Sequence, residues 1–193
     1  MSDVSQFREL IARVRAGDQA AATALVKEYE PEVRRFVRVK LTDPHLRQFL
    51  DSADICQSVL AAFFVRAMAG QFDLAEPADL VRLLTAMARN RIIDHARRPA
   101  AARPPVVGPE VWAVIPARGE TPSQVASFQE LVVEALKRLS PEERQLADRR
   151  AAGTSWQEVA DEFGVPADTA RKRLERALDR VCADLGIDAV GDG

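Results

Sequence analysis

The stretch from Trp156 to Val181 constrains this chain more than any other. Trp156, Val159, Ala160 and Phe163 recur at helical spacing, behind Ser155 as a helix cap. Gly164 follows, where a tight turn needs a residue that accepts positive φ. Val165 plugs the small core, Asp168 is positioned to cap a second helix, and Ala170, Leu174, Ala177, Leu178 and Val181 give that helix its inward face. Ala160 is small where the second helix must cross closely. This pattern predicts a helix-turn-helix. It leaves Asp168, Thr169, Arg171, Lys172, Glu175 and Arg176 outward near the start of the second helix, the part that enters a major groove in this motif. The competing reading is an ordinary helical hairpin. Cations in a first helical turn oppose the helix dipole, so Arg171, Lys172 and Arg173 give a merely structural helix nothing, whereas a DNA phosphate or base edge would use them.

The rest of the chain also reads as helices between breakers, with no alternating β-branched run that would mark a strand. Helices are expected over residues 5–16, 19–41 (kinked or restarted at Pro31), 52–69, 78–98, 125–139 and 141–152, the last opened by Ser140-Pro141-Glu142-Glu143 as cap, first helical proline and capping-box acid. Residues 99–124 lose the helical period and collect Pro99, Pro104, Pro105, Pro109, Pro116 and Pro122. They read as a mobile linker, with Val111, Trp112, Val114 and Ile115 as an apolar island inside it. The expected fold is all-α: a helical domain over 1–98, a Pro-rich linker over 99–124 and a helix-turn-helix domain over 125–187.

Net charge is −2, unlike a strongly basic nucleic-acid binder, but the distribution is uneven. Residues 82–103 carry Arg82, Arg89, Arg91, Arg97, Arg98 and Arg103 against Asp94 alone. Within that stripe, Asn90, Asp94 and Arg97 share one helical face, and Arg91, His95 and Arg98 another. Arginine and asparagine suit phosphate and base-edge contacts, so this helix is a second candidate DNA-binding element. Cys56 and Cys182 lie in helical patterns without metal-ligand spacing, as reduced cysteines of a cytoplasmic protein do. No metal or cofactor is expected. The N-terminus lacks the apolar segment of a signal peptide, and the longest apolar run, Val59 to Val65, is too short to span a membrane, so no membrane insertion is expected. Two histidines, the single Tyr29 and the lack of a Gly-rich phosphate loop argue against an enzyme and against a small-molecule substrate.

Across residues 5–185 the sequence resembles bacterial RNA polymerase sigma factors of the extracytoplasmic-function group. Asp51-Ser-Ala-Asp-Ile-Cys-Gln-Ser-Val-Leu resembles that family's polymerase-binding helix, in which Asp54, Gln57, Ser58 and neighbouring Arg66 would face the clamp helices of the largest subunit; Ser58 stands where the family pattern has Glu. Leu83 to Arg98 is similar to the helix that reads and helps melt the minus-ten element. The resemblance assigns DNA contact there to Arg89, Asn90, Asp94 and Arg97, with Arg98 beside them, and a flipped-out base to the loop Gln71 to Pro77. Leu139 onward resembles the domain that reads the minus-thirty-five element, with Thr169, Arg171, Lys172, Arg173 and Arg176 on its recognition helix and Glu175 where a basic residue is common. The resemblance implies a transcription initiation factor with core RNA polymerase and promoter DNA as partners, and allows an anti-sigma factor as a further one. The alternative is a conventional helix-turn-helix regulator that acts without core polymerase.

Overall fold

The structure, a computed structural model, describes residues 3–41, 52–97 and 121–187. Among these are eight helices and no strand: α1 Asp3–Arg15, α2 Gln19–Lys40, α3 Ser52–Met68, α4 Pro77–Arg97, α5 Thr121–Lys137, α6 Pro141–Ala151, α7 Trp156–Phe163 and α8 Ala167–Asp184. The all-α expectation is met. Arg98, most of the expected linker and its apolar island lie outside the described residues.

Local chemistry sets most of the boundaries. Asp18 caps α2 by accepting the N–H groups of Ala20 at 2.8 Å and Ala21 at 3.1 Å. Those N–H groups, Ala21 first, together with the Arg13 guanidinium, hold the Asp18 carboxyl below its usual pKa. Ser140 and Ser155 each close a full capping box, with Glu143 and Glu158 reaching back to the cap N–H. Gly164 ends α7 at φ +62°, as its turn requires.

Three boundaries differ from the sequence reading. α2 runs through Pro31 without restarting, because Val26 and Tyr29 before it and Val33 and Val37 after it are buried in one core. α5 begins at Thr121, inside the expected linker. α8 is capped at Pro166, with no side-chain cap; Asp168 instead lies in the first turn and pairs with Lys172 at 3.0 Å.

The centre of the fold is α3. From Ile55 to Ala67 every residue except Gln57 is buried, a pattern that only a helix covered on all sides can sustain. α1, α2, α4, α5 and α8 all pack on it. One apolar core runs unbroken from Phe7 and Leu25 through Phe63 and Leu84 to Phe128, Leu174 and Ile187. Phe64 of α3 stacks on Phe128 of α5, with ring centroids 5.1 Å apart.

Candidate functional site

The helix-turn-helix stands as its sequence demands. Val159 and Ala160 of α7 are buried against α8, which turns Ala170, Leu174, Ala177, Leu178 and Val181 inward. Arg171, Lys172, Arg173 and Arg176 are exposed, and Thr169 is half-buried. At about 100° per residue, Lys172, Arg173 and Arg176 share one arc of α8, while Arg171 points to the far side of Lys172. The four cations therefore do not form one face. Arg173, Arg176 and Arg180 border a cavity of about 500 Å³ between α6, α7 and α8 whose apolar lining is Leu146, Phe163, Leu174 and Ala177. Arg180 pairs there with Glu143 at 2.7 Å. Burial works to raise the Glu143 pKa, but the Ser140 N–H and Arg180 outweigh it and hold the carboxyl below its usual value.

On α4 the apolar face is Leu80, Leu84, Met87, Ala88 and Ile92. Arg89 is exposed on the opposite side, and Asn90 and Asp94 are half-buried. Arg91 is drawn into the core at 7% exposure and is no part of an outward basic stripe. The Arg97 side chain and all of Arg98 lie outside the described residues.

The connection between α3 and α4 is held by arginines from three helices. Arg66 of α3 donates to the Gln71 side-chain oxygen at 3.1 Å. Arg15 of α1 donates to the Phe72 carbonyl, and Arg8 to the Ala75 carbonyl at 3.2 Å. Arg150 of α6 donates to the Gly70 carbonyl at 3.1 Å and to the Asp73 carboxylate at 2.5 Å. The loop then closes on Asp79, which accepts the N–H groups of Ala75 and Glu76. Phe72 stacks parallel to Phe63 at 6.2 Å. Arg8, Arg15 and Arg150 gave no signal in the sequence, because their partners lie 57 to 80 residues away.

On α3, Asp54 and Gln57 are half-buried near the N-terminal end, whereas Ser58 is 3% exposed and Arg66 is 1% exposed. Arg66 does not face outward, as the sequence reading expects. Its guanidinium crosses to Asp179 of α8 at 2.6 Å. Among the described residues no group of His, Cys, Asp and Glu is arranged to hold a metal ion, and no helix is long and apolar enough to cross a membrane.

The family model for ECF sigma factors matches residues 1–185, which takes in α3, α4, the loop between them and the helix-turn-helix together. The chain belongs to the ECF sigma factor family. Among curated proteins none matches it. Membership makes this ECF sigma factor a transcription initiation factor for RNA polymerase, with core polymerase and promoter DNA as the partners that the family implies. Such factors regulate rather than catalyse. The two halves of the sigma factor are nonetheless packed through one core, with α5 lying chiefly on α2 and α3.

Proposed function

We propose that this sigma factor divides promoter recognition between its two halves, residues 1–98 and the helices from Thr121 onward, joined by the segment between them. The first half docks on the clamp helices of core polymerase through α3, using Asp54 and Gln57 at its accessible end and Ser58 and Arg66 once they are uncovered. The second half sets α8 in the major groove at the upstream element, where Thr169, Arg171, Lys172, Arg173 and Arg176 meet phosphates and base edges. α4, with Arg89, Asn90, Asp94, Arg97 and Arg98, and the loop before it hold the melted strand of the downstream element. Extracting a base costs a few kcal/mol of unstacking, which contacts to that loop must offset without ATP. Binding free energy for the open strand then shifts the closed-to-open equilibrium of the promoter.

The observation that supports this reading is the single family match spanning both DNA-facing elements and α3. The exposure of Arg89 on α4 and of Lys172, Arg173 and Arg176 on α8 is consistent with it. The test is run-off transcription with purified core polymerase on a genomic fragment library. Discrete start sites that depend on the added chain are expected. A chain that fails to bind core but binds duplex DNA alone would point to a conventional helix-turn-helix regulator instead.

A further inference from the structure

We infer that the cavity between α6, α7 and α8 is a binding site for a small amphipathic carboxylate, with its acid head on Arg173 and Arg176 and its apolar body against Phe163, and that this occupant competes with upstream DNA for the same two arginines. The DNA role of those arginines rests on the functional reading above; the cavity itself is read from geometry.

The size suits a small molecule. A volume of about 500 Å³ lies within the range of about 300–1,000 Å³ that such ligands occupy. The floor is Leu146 of α6 with Leu174 and Ala177 of α8, all buried. Phe163, the last residue of α7, is partly exposed and forms an aromatic wall. Ala177 leaves open a space that a longer side chain would fill. Over this floor stands one row of α8. Arg173, Arg176 and Arg180 all border the cavity, and at 100° per residue they fall within about 60° of one another around the helix. A row of guanidinium groups above an apolar floor fits a molecule with an apolar body and an acid at one end.

The balance of charge selects an acid over a base. Ser140, Glu142 and Glu143 line the α6 side. Glu143 is already engaged, since it accepts Arg180 at 2.7 Å and the Ser140 N–H at 2.8 Å. That pair is neutral as a unit and leaves Arg173 and Arg176 facing Glu142 alone. Among the described residues no carboxylate pairs with either arginine, and both are exposed. Two guanidinium forks one helical turn apart can donate together to a single carboxylate, a geometry that arginine favours. A head group held there takes the donors that a phosphate or base edge would use, so ligand and DNA each weaken the other. The apolar floor offers a phosphate nothing and so favours the small molecule.

Decanoate is the probe, titrated into the isotope-labelled full chain and followed by its backbone amide shifts. The amides of Leu146, Phe163, Leu174 and Ala177 should move together. Octanoate, with two fewer methylenes in the cavity, should bind about tenfold more weakly. Decanol and decylammonium, which lack the acid, should bind about tenfold more weakly or worse. The double variant Arg173→Gln with Arg176→Gln should bring decanoate down to the level of decanol and leave decanol itself unchanged. If the amide spectrum shows the double variant unfolded, Arg173→Gln alone takes its place under the same criteria. With the polymerase complex, near-saturating decanoate should weaken binding to an upstream-element duplex about threefold or more, and decanol at the same concentration should not. The site is overturned if decanoate does not bind, if its shifts centre elsewhere, if decanol or decylammonium binds as well, or if the variant keeps its affinity for decanoate. Unchanged DNA binding under near-saturating decanoate overturns the competition. Failure to bind core in a pull-down refutes the sigma reading instead, and the titration of the free chain still decides the site.

Discussion

Arg66 and Asp179 are 113 residues apart in the chain and 2.6 Å apart in the fold. The pair is unequal: the Arg66 side chain is 1% exposed and that of Asp179 31%. Arg66 also places a Cys182 contact and a Gln71 bond on the same guanidinium, so one side chain ties α3, the following loop and α8 together. Removing the carboxylate leaves a desolvated cation, which is more costly than never having buried it. Asp179→Leu alone is expected to lower unfolding free energy by about 2 kcal/mol, discounted from the fully buried case because Asp179 is partly in water. The double variant Arg66→Met with Asp179→Leu should recover most of that loss. Urea unfolding of the four forms measures the coupling. Additive costs would mean that the two residues do not act as a pair.

Gly70 and Gly164 make a second comparison, since both have positive φ but only one is crowded. At Gly164, φ +62°, an added Cβ meets nothing within 4 Å, so Gly164→Ala should cost only the backbone penalty of about 1–2 kcal/mol. At Gly70 the same penalty is joined by a clash with the backbone of α6, which cannot rotate away as a side chain can. Gly70→Ala should cost about twice as much or separate α6 from α3. Thermal melts of the two variants, side by side, give the difference. Equal shifts would show that α6 does not press on Gly70 in solution.

Much of this architecture was legible in the sequence, and the failures have one cause. Ser140, Ser155 and Gly164 act through neighbours three or four residues away, so their roles could be read from local spacing. The apolar faces of α7 and α8 followed from periodicity for the same reason. The family resemblance turns Arg66 outward toward a polymerase helix; its partner in the fold, Asp179, lies 113 residues away and is invisible to local spacing. Arg91 was likewise counted in an exposed basic stripe and is buried. Asp168 lost its capping role because Pro166 starts the helix first. Pro31 failed to restart α2 because burial on both sides outweighs one missing backbone bond. Of the expected site, Arg89, Arg171, Lys172 and Arg176 are exposed where spacing puts them, while the arginines that hold the loop come from α1 and α6 as well as from Arg66 of α3.

Acid should weaken the helix starts before it weakens the core. Glu158 is held below its usual pKa first by the Ser155 hydroxyl and then by the Ser155 N–H, and Asp79 first by the Ala75 N–H. With Asp18 and Glu143 these are carboxyls whose folded pKa is depressed. Their contribution is therefore present above the unfolded values, about 3.9 for Asp and 4.3 for Glu, and is lost as pH falls through the lower folded ones. Melting temperature should hold steady from neutral pH to about pH 5 and decline below it. Glu158→Gln keeps a hydrogen-bonding side chain without the titration, and should show a shallower acid decline than the parent. An identical pH profile would remove Glu158 from the account.

DNA binding by the polymerase complex should separate the cations of α8. Lys172, Arg173 and Arg176 occupy one arc and Arg171 another, so they cannot all touch the same groove wall. Lys172 is also restrained by Asp168 at 3.0 Å, an exposed pair worth little and easily surrendered to a phosphate. Alanine at Arg176 or Arg173 should weaken promoter binding by about 1–3 kcal/mol if the side chain reads a base edge. If it meets only a phosphate, the loss should be similar on all sequences, with the slope of log K against log salt falling by about one. Arg171→Ala should have the smallest effect of the four. The measurement is fluorescence anisotropy of a labelled promoter duplex with the reconstituted complex at three salt concentrations. A loss at Arg171 larger than at Arg176 would mean that the opposite side of α8 faces the groove, and would reassign the reading surface to the side that carries Glu175.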